Sequence, residues 1–326
     1  MNERNTHHVE FTYQKVSMKE VDLRDERLRI SYGFGLQELT RSIEEVGLIH
    51  PPILQEASSK KYRIVCGFKR VLALSELGYP QFTAALLPGG VSEKDAFLLS
   101  LHENLSHRGL NPVEIATVIN KLRGYFSLHE IEEQFLPLLG LGKSLSLLAM
   151  YESIIELEEE IKMGLAKGEM SKEAAPMLLK FSGKERTLLF HFITRLKLSR
   201  SKQAEVIENI SVIKERDKIA IDEILNSEEV EEILSDRRMG LIDQGDRVRD
   251  YVRKLRYPQL TRAYEDFSEK KERLKLKGID LIPPPYFEGE EFRINFSFNT
   301  LPEFKKRLEI LQAIADKEEF KEILEG

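Results

Sequence analysis

One cysteine, Cys66, stands in 326 residues, and tryptophan is absent. A lone cysteine excludes an internal disulfide and a zinc site built on cysteines. The seven histidines show no metal-ligand spacing, and His7-His8 falls in a polar N-terminal arm over residues 1–15. Long apolar runs are missing, as is a signal core, so no membrane association is expected and the location is read as cytoplasmic. A basic excess is missing too. With a net charge of −6, any contact with DNA must come from a local patch of cations. What remains is 41% apolar and 32% charged residues, enough for packed cores in a helix-rich chain whose length predicts two or three domains.

The pattern over Val16 to Leu87 is mixed α/β. Leu36, Leu39, Ile43 and Val46 are spaced as the apolar face of a helix ending at Gly47. Ile53-Leu54-Gln55, Tyr62 to Cys66 and Phe82 to Leu87 read as strands, with a helix from Arg70 to Leu77 between the last two. After Ser92, which caps a helix reaching about Glu103, the chain turns helical. Asn111-Pro112 is an N-cap followed by the proline favoured at a first helical position. Ser127-x-x-Glu130 and Ser182-x-x-Glu185 are capping boxes. Gly140 and Gly142 mark a turn, Ser144 caps the next helix, and Gly164 and Gly168 both break the pattern. Past Arg237 come a basic helix, a charged amphipathic helix from Gln259 to Lys277, and a strand in which Phe292, Ile294, Phe296 and Phe298 alternate with polar residues and are expected to be core. The expected fold class is α+β: a small mixed α/β domain over 16–108, a mostly helical domain over 109–236, and a small α+β domain over 237–326.

Two segments carry chemistry. In Val65-Cys66-Gly67-Phe68-Lys69-Arg70 a strand runs into a glycine and a basic helix start. That glycine lets backbone approach a ligand, and a helix start offers free N–H groups to phosphate. In Leu101 to Arg108, followed by Leu110-Asn111-Pro112, the pair Glu103-Asn104 offers metal-binding oxygens beside His107 and Arg108. Each has a plainer reading: a strand-to-helix turn for the first, a helix end with Asn104 as C-cap for the second. Together they point to a nucleotide-phosphate pocket. A third segment, residues 182–202, holds Lys184, Arg186, Arg195, Lys197, Arg200 and Lys202 against Glu185. It is either a sequence-independent phosphate-binding patch or a solvated helix face.

These segments, in this order, resemble the ParB/RepB family of partition proteins. Leu36 to Pro52 is similar to the family's first helix and the strand entry after it. Gly67-Phe68-Lys69-Arg70 is similar to its Gly-Glu-Arg-Arg motif, and Glu103-Asn104 through Asn111-Pro112 to its Glu-Asn-x-x-Arg motif with a trailing Leu-Asn-Pro. Ser127 to about Ile155 resembles its helix-turn-helix. The resemblance covers roughly residues 16–180. It implies CTP and Mg²⁺ bound by the N-terminal domain through Arg29, Gly67, Phe68, Lys69, Arg70, Glu103, Asn104, His107 and Arg108. Glu103 and Asn104 would ligate the metal, and Glu103 would orient a water in CTP hydrolysis. It further implies DNA binding, carried here by Lys143, Ser144 and Ser146 with Lys197, Arg200 and Lys202. A homodimer closing as a clamp on DNA, a ParA-type partner ATPase and a nucleoid-associated location also follow.

The chain departs from the family at several positions. Phe68 stands for Glu, Lys69 for Arg, and Leu72 where a further Arg is usual. His107 takes the place of the phosphate-motif Arg, with Arg108 displaced by one, and Leu145 stands where a basic residue is common. Lysine supplies a point charge without the bidentate fork, and histidine is often neutral near pH 7. Two other readings therefore stand beside the clamp: a DNA-binding transcription regulator without nucleotide turnover, and a small-molecule kinase on the same scaffold. Cys66 precedes its glycine, the wrong register for sulfiredoxin's catalytic cysteine, and reads as a buried strand residue.

Overall fold

A computed structural model describes residues 10–33, 35–57 and 61–325. The chain is α+β and mostly helical, and it divides into two compact units, residues 1–204 and 205–326. The domain boundaries expected near residues 108 and 236 each lie inside one of these units.

The first unit opens on a four-stranded sheet: β1 (Thr12–Ser17), β2 (Ile53–Glu56), β3 (Tyr62–Cys66) and β4 (Gln81–Leu87), in the order β1-β4-β2-β3. β2 runs parallel to β4; the β1–β4 and β2–β3 pairs are antiparallel. Successive strand side chains point to opposite faces, and the two faces have different fates. Phe82 and Ala84, with Leu54 and Ile64, pack against Ile43 of α1 (Leu36–Val46) and Phe68, Val71 and Leu74 of α2 (Phe68–Glu76). The opposite face receives α3 (Glu93–His107), which lies against β3.

Helices continue from there: α4 (Pro112–Leu122), α5 (Leu128–Glu130), a π-turn over Ile131–Phe135, α6 (Leu136–Leu138), α7 (Leu145–Ile154), α8 (Glu159–Lys167) and α9 (Gly183–Arg195). The caps fall where the sequence put them. Asn111 accepts from the Val113 and Glu114 amides, Ser127 from Glu130, and Ser144 from Leu147. α10 (Arg200–Asp217) crosses the division between units. The second unit holds α11 (Ile221–Leu225), α12 (Glu228–Ser235), α13 (Leu241–Arg256), α14 (Pro258–Leu274), the antiparallel hairpin β5 (Ile279–Ile282) and β6 (Arg293–Phe296), α15 (Leu301–Ala315) and α16 (Glu318–Glu325).

Four expectations need correction. Residues 12–15 of the expected N-terminal arm are strand β1; their side chains are exposed, so backbone pairing to β4 holds them and no apolar alternation announces it. Residues 1–9 of that arm, with His7-His8, lie outside the described residues. Gly164 does not break α8. It sits inside the helix because an added Cβ would lie 2.4 Å from Phe190 Cε2, so the absent side chain lets that ring pack. α3 runs four residues past Glu103, so Asn104 is not a C-cap; its amide donates to the Ser100 carbonyl at 2.8 Å. The Phe292–Phe298 stripe is core only in part: Phe292 packs against the buried cluster of Phe267 and Leu274, and the rest is largely open. Only residues 293–296 are strand, Ile294 is 40% and Phe298 51% exposed, and the buried side of this hairpin is Ile279 and Leu281 of β5.

Candidate functional site

Backbone pairing aligns Tyr13 of β1 with Ala85 of β4, and Ala85 with Ile53 of β2. Directly paired residues share a face of the sheet, and Val65 of β3 joins them at the irregular register beside Ile53. This row is the floor of a cleft of about 590 Å³, a size suited to a small-molecule ligand. The α2 N-terminus, Gly67-Phe68-Lys69-Arg70, forms one wall. Ser100, Glu103, Asn104 and His107, spaced 3, 1 and 3 along one face of α3, form another with Arg108. Ile30, Ser31, Leu39, His50 and Pro51 close the sides, with Phe11 beside Tyr13.

Gly67 has a left-handed backbone (φ +88°), and an added Cβ would lie 2.8 Å from Arg70 Nε and 3.0 Å from Pro52 Cβ. Only glycine meets both conditions without strain. The turn it makes aims the first amides of α2 at the cleft; no side chain caps them among the described residues. Free N–H groups and the helix dipole favour an anion there.

Arg70 is committed to several partners. Its guanidinium donates to the carbonyls of His50 (3.0 Å) and Pro51 (3.3 Å) and pairs with Glu103 at 2.7 Å. Burial, then Arg108, lowers the Lys69 pKa, and a bound anion would act in the opposite direction. His107 is 68% exposed, its Nε2 4.0 Å from Glu103. Arg108 pairs with Glu114 through both terminal nitrogens, at 2.6 and 2.7 Å. Phe68, where the family has Glu, is 6% exposed and belongs to the core beneath the wall. Burial pushes the Cys66 thiol up to about 12, with Glu103 adding to the shift, so it has little thiolate character.

The structure thus brings together Gly67, Phe68, Lys69, Arg70, Glu103, Asn104, His107 and Arg108, the sequence-selected set apart from Arg29. Arg29 is not among the cleft-lining residues; it donates to the Ser31 carbonyl and pairs with Glu26, though its charge reaches Lys69. The aromatic pair Phe11 and Tyr13 escaped sequence reading because it lay in the supposed arm. Ser100 had a legible signal, its place one turn before Glu103.

Glu103 and the Asn104 amide oxygen are the oxygens available to a metal. One carboxylate and one amide suit Mg²⁺ held jointly with phosphates rather than by protein alone. No cluster of three or more His, Cys, Asp or Glu fit to hold a metal occurs among the described residues.

The residues chosen for DNA fall in two places. Lys143 pairs with Glu133, Ser144 caps α7, and Ser146 is exposed on that helix beside Leu145, itself 56% exposed. Lys197 and Arg200 are exposed on the turn from α9 to α10, Lys197 at φ +51°, while Lys202 is half-buried. No helix among the described residues is long and apolar enough to cross a membrane.

The ParB N-terminal domain family model matches residues 2–105. A nucleoid occlusion protein of Geobacillus sp. strain WCH70 is 28% identical over 153 residues, 47% of this chain and 52% of that protein. A probable chromosome-partitioning protein ParB of Chlamydia muridarum is 30% identical over 155 residues, 46% of this chain and 54% of that protein. The chain spans about half the length of these curated relatives. Among solved structures, a Pnob8-like ParB N domain aligns at 16% identity with a TM-score of 0.37, covering 76% of this chain and 98% of that one. The C-terminally truncated chromosome-partitioning protein ParB of Caulobacter crescentus, solved with CTP-γ-S, aligns at 19% identity with a TM-score of 0.27, covering 56% and 98%. Over residues 2–105, then, this chain is similar to the ParB N-terminal domain.

Proposed function

We propose that this chain is a DNA-binding partition or nucleoid-occlusion protein whose N-terminal cleft binds CTP. The observation that carries the reading is the convergence, in one cleft, of an open helix N-terminus at Gly67, the cations Lys69 and Arg108, and the Glu103–Asn104 pair. The triphosphate would lie against the α2 amides and these cations. The base would lie over the Tyr13–Ala85–Ile53 floor, where an aromatic and two apolar side chains present a flat surface. CTP is the nucleotide the family resemblance implies. Glu103 and Asn104 would hold Mg²⁺ against the phosphates, and the metal would neutralise phosphate charge there. If turnover occurs, Glu103 is the carboxylate able to orient a water. The exposed cations at Lys197 and Arg200, with Ser146 on α7, are the residues for DNA, and dimer closure and a ParA-type ATPase belong to the same reading.

The DNA-binding regulator remains a second reading, favoured by His107: an exposed histidine in place of the phosphate-motif arginine weakens the case for turnover more than for binding. Titration with CTP and with ATP, in Mg²⁺ and with or without DNA, separates the outcomes. CTP binding in preference to ATP, changed by DNA, supports the clamp. DNA binding indifferent to either nucleotide supports the regulator, and nucleotide binding without any DNA affinity leaves the kinase.

A further inference from the structure

Glu114, one turn into α4, is 0% exposed. A carboxylate taken wholly out of water has to be paired and hydrogen-bonded. Four donors converge on it: both terminal nitrogens of Arg108 at 2.6 and 2.7 Å, the Tyr32 amide at 2.9 Å and the Asn111 amide at 3.0 Å. The helix-capping role accounts for the Asn111 bond alone. The other three reach toward the cleft. Arg108 follows the end of α3 in an extended conformation and keeps 38% of its side chain exposed while lining the cleft. A two-pronged carboxylate fixes the plane of a guanidinium as a single contact does not. The Tyr32 amide bond anchors the segment whose previous two residues, Ile30 and Ser31, form the adjoining wall. Lys69 is close enough to feel Arg108 and Arg29 as destabilising and Glu114 and Glu38 as stabilising.

We propose that Glu114 is a positioning residue for the phosphate end of the cleft: it holds Arg108 in plane beside Lys69 and fixes the Ser31 wall, so that two cations present one polyphosphate site. The proposal rests on the cleft being a phosphate site, and it goes beyond that reading in giving a buried carboxylate outside the cleft control of its affinity.

The test is a double-mutant cycle with two probes, CTP and inorganic triphosphate. Glu114→Gln and Arg108→Ala should each weaken triphosphate binding about tenfold or more, the scale of one charge-assisted hydrogen bond. The double variant should be no worse than Arg108→Ala, because Glu114 acts through Arg108. Arg108→Lys keeps the charge and loses the fork, so it should fall to nearly the level of Arg108→Ala; it also tests the proposal without disturbing the buried carboxylate, should Glu114→Gln fail to fold. Affinity in Glu114→Gln should decline at a lower alkaline pH than in the wild type, since Lys69 then loses the Glu114 charge that counters Arg29 and Arg108. Wild-type affinity in a folded Glu114→Gln, multiplicative losses in the double variant, or an Arg108→Lys that binds like wild type would each overturn the proposal. Triphosphate binding with the expected pattern, but no preference for CTP, would sustain it while removing the nucleotide assignment. A wild-type chain that binds neither probe would overturn both.

Discussion

Arg70→Ala should damage both stability and ligand binding, by amounts the structure separates. Arg70 joins three elements: α2, which carries it, the segment before β2 through the His50 and Pro51 carbonyls, and α3 through Glu103. The two side chains of the ion pair are 20% and 23% exposed. The cost of breaking it therefore lies between an exposed pair, about 0–1 kcal/mol, and a buried one, about 3–5 kcal/mol. With the lost carbonyl bonds, a fall of roughly 2–4 kcal/mol in stability is expected. For a unit of this size that is a drop of about 5–15 °C in Tm. Loss of a cation at the phosphate wall should weaken CTP binding by roughly a further 1.5–3 kcal/mol, which corresponds to about 10- to 150-fold. Thermal unfolding and a CTP titration below the variant's Tm read the two effects independently. Unchanged Tm would refute the claim that Arg70 ties the walls together. A destabilised variant that binds CTP like wild type would show that Arg70 builds the cleft without touching the phosphates.

Gly164→Ala normally favours a helix interior by about 1 kcal/mol; here the Phe190 ring at 2.4 Å from the new methyl reverses the sign, and a loss of about 1–3 kcal/mol in chemical denaturation is expected. Reversing Lys197, Arg200 and Lys202 to Glu should weaken DNA binding and flatten its dependence on salt in a mobility-shift series, because each phosphate contact releases counterions; an unchanged slope would move the DNA surface elsewhere. Burial lowers Lys121 to about 8, below its ordinary 10.5, so between about pH 8 and 10.5 the unfolded chain holds the extra proton. The stability of the wild type relative to Lys121→Met should therefore rise with pH across that window. A flat difference would mean that the Glu26 and Arg27 carbonyls, which accept from its ammonium at 2.6 and 2.7 Å, keep Lys121 charged when folded.

Caps and strands with strong local signals were legible in the sequence. Ser92, Asn111, Ser127 and Ser144 each announce a helix start by a side chain that accepts from an amide a few residues on, and that chemistry is local. The two cleft walls were legible for the same reason, since Gly67 to Arg70 and Glu103 to Arg108 are each contiguous. Long-range pairing was not legible. β1 buries almost none of its side chains and exists because β4 offers it hydrogen bonds, so Phe11 and Tyr13 could not be placed on the cleft. Gly164 read as a break because the ring that requires it, Phe190, is 26 residues away. Glu114 was not singled out in the sequence, and its bond to the Tyr32 amide could not be read there because Tyr32 comes to it from 82 residues earlier. In the second unit, the Phe292–Phe298 alternation has the right period for a half-buried strand. A period cannot say whether a face is covered, and here it is left largely open.

Hydrogen exchange with and without CTP and Mg²⁺, read peptide by peptide, tests the central claim most directly. A nucleotide seated in the cleft should slow exchange at the α2 amides of Phe68 to Arg70 and at the end of α3 around Glu103 to Arg108. Protection confined to other segments, or none at saturating CTP, would contradict the account.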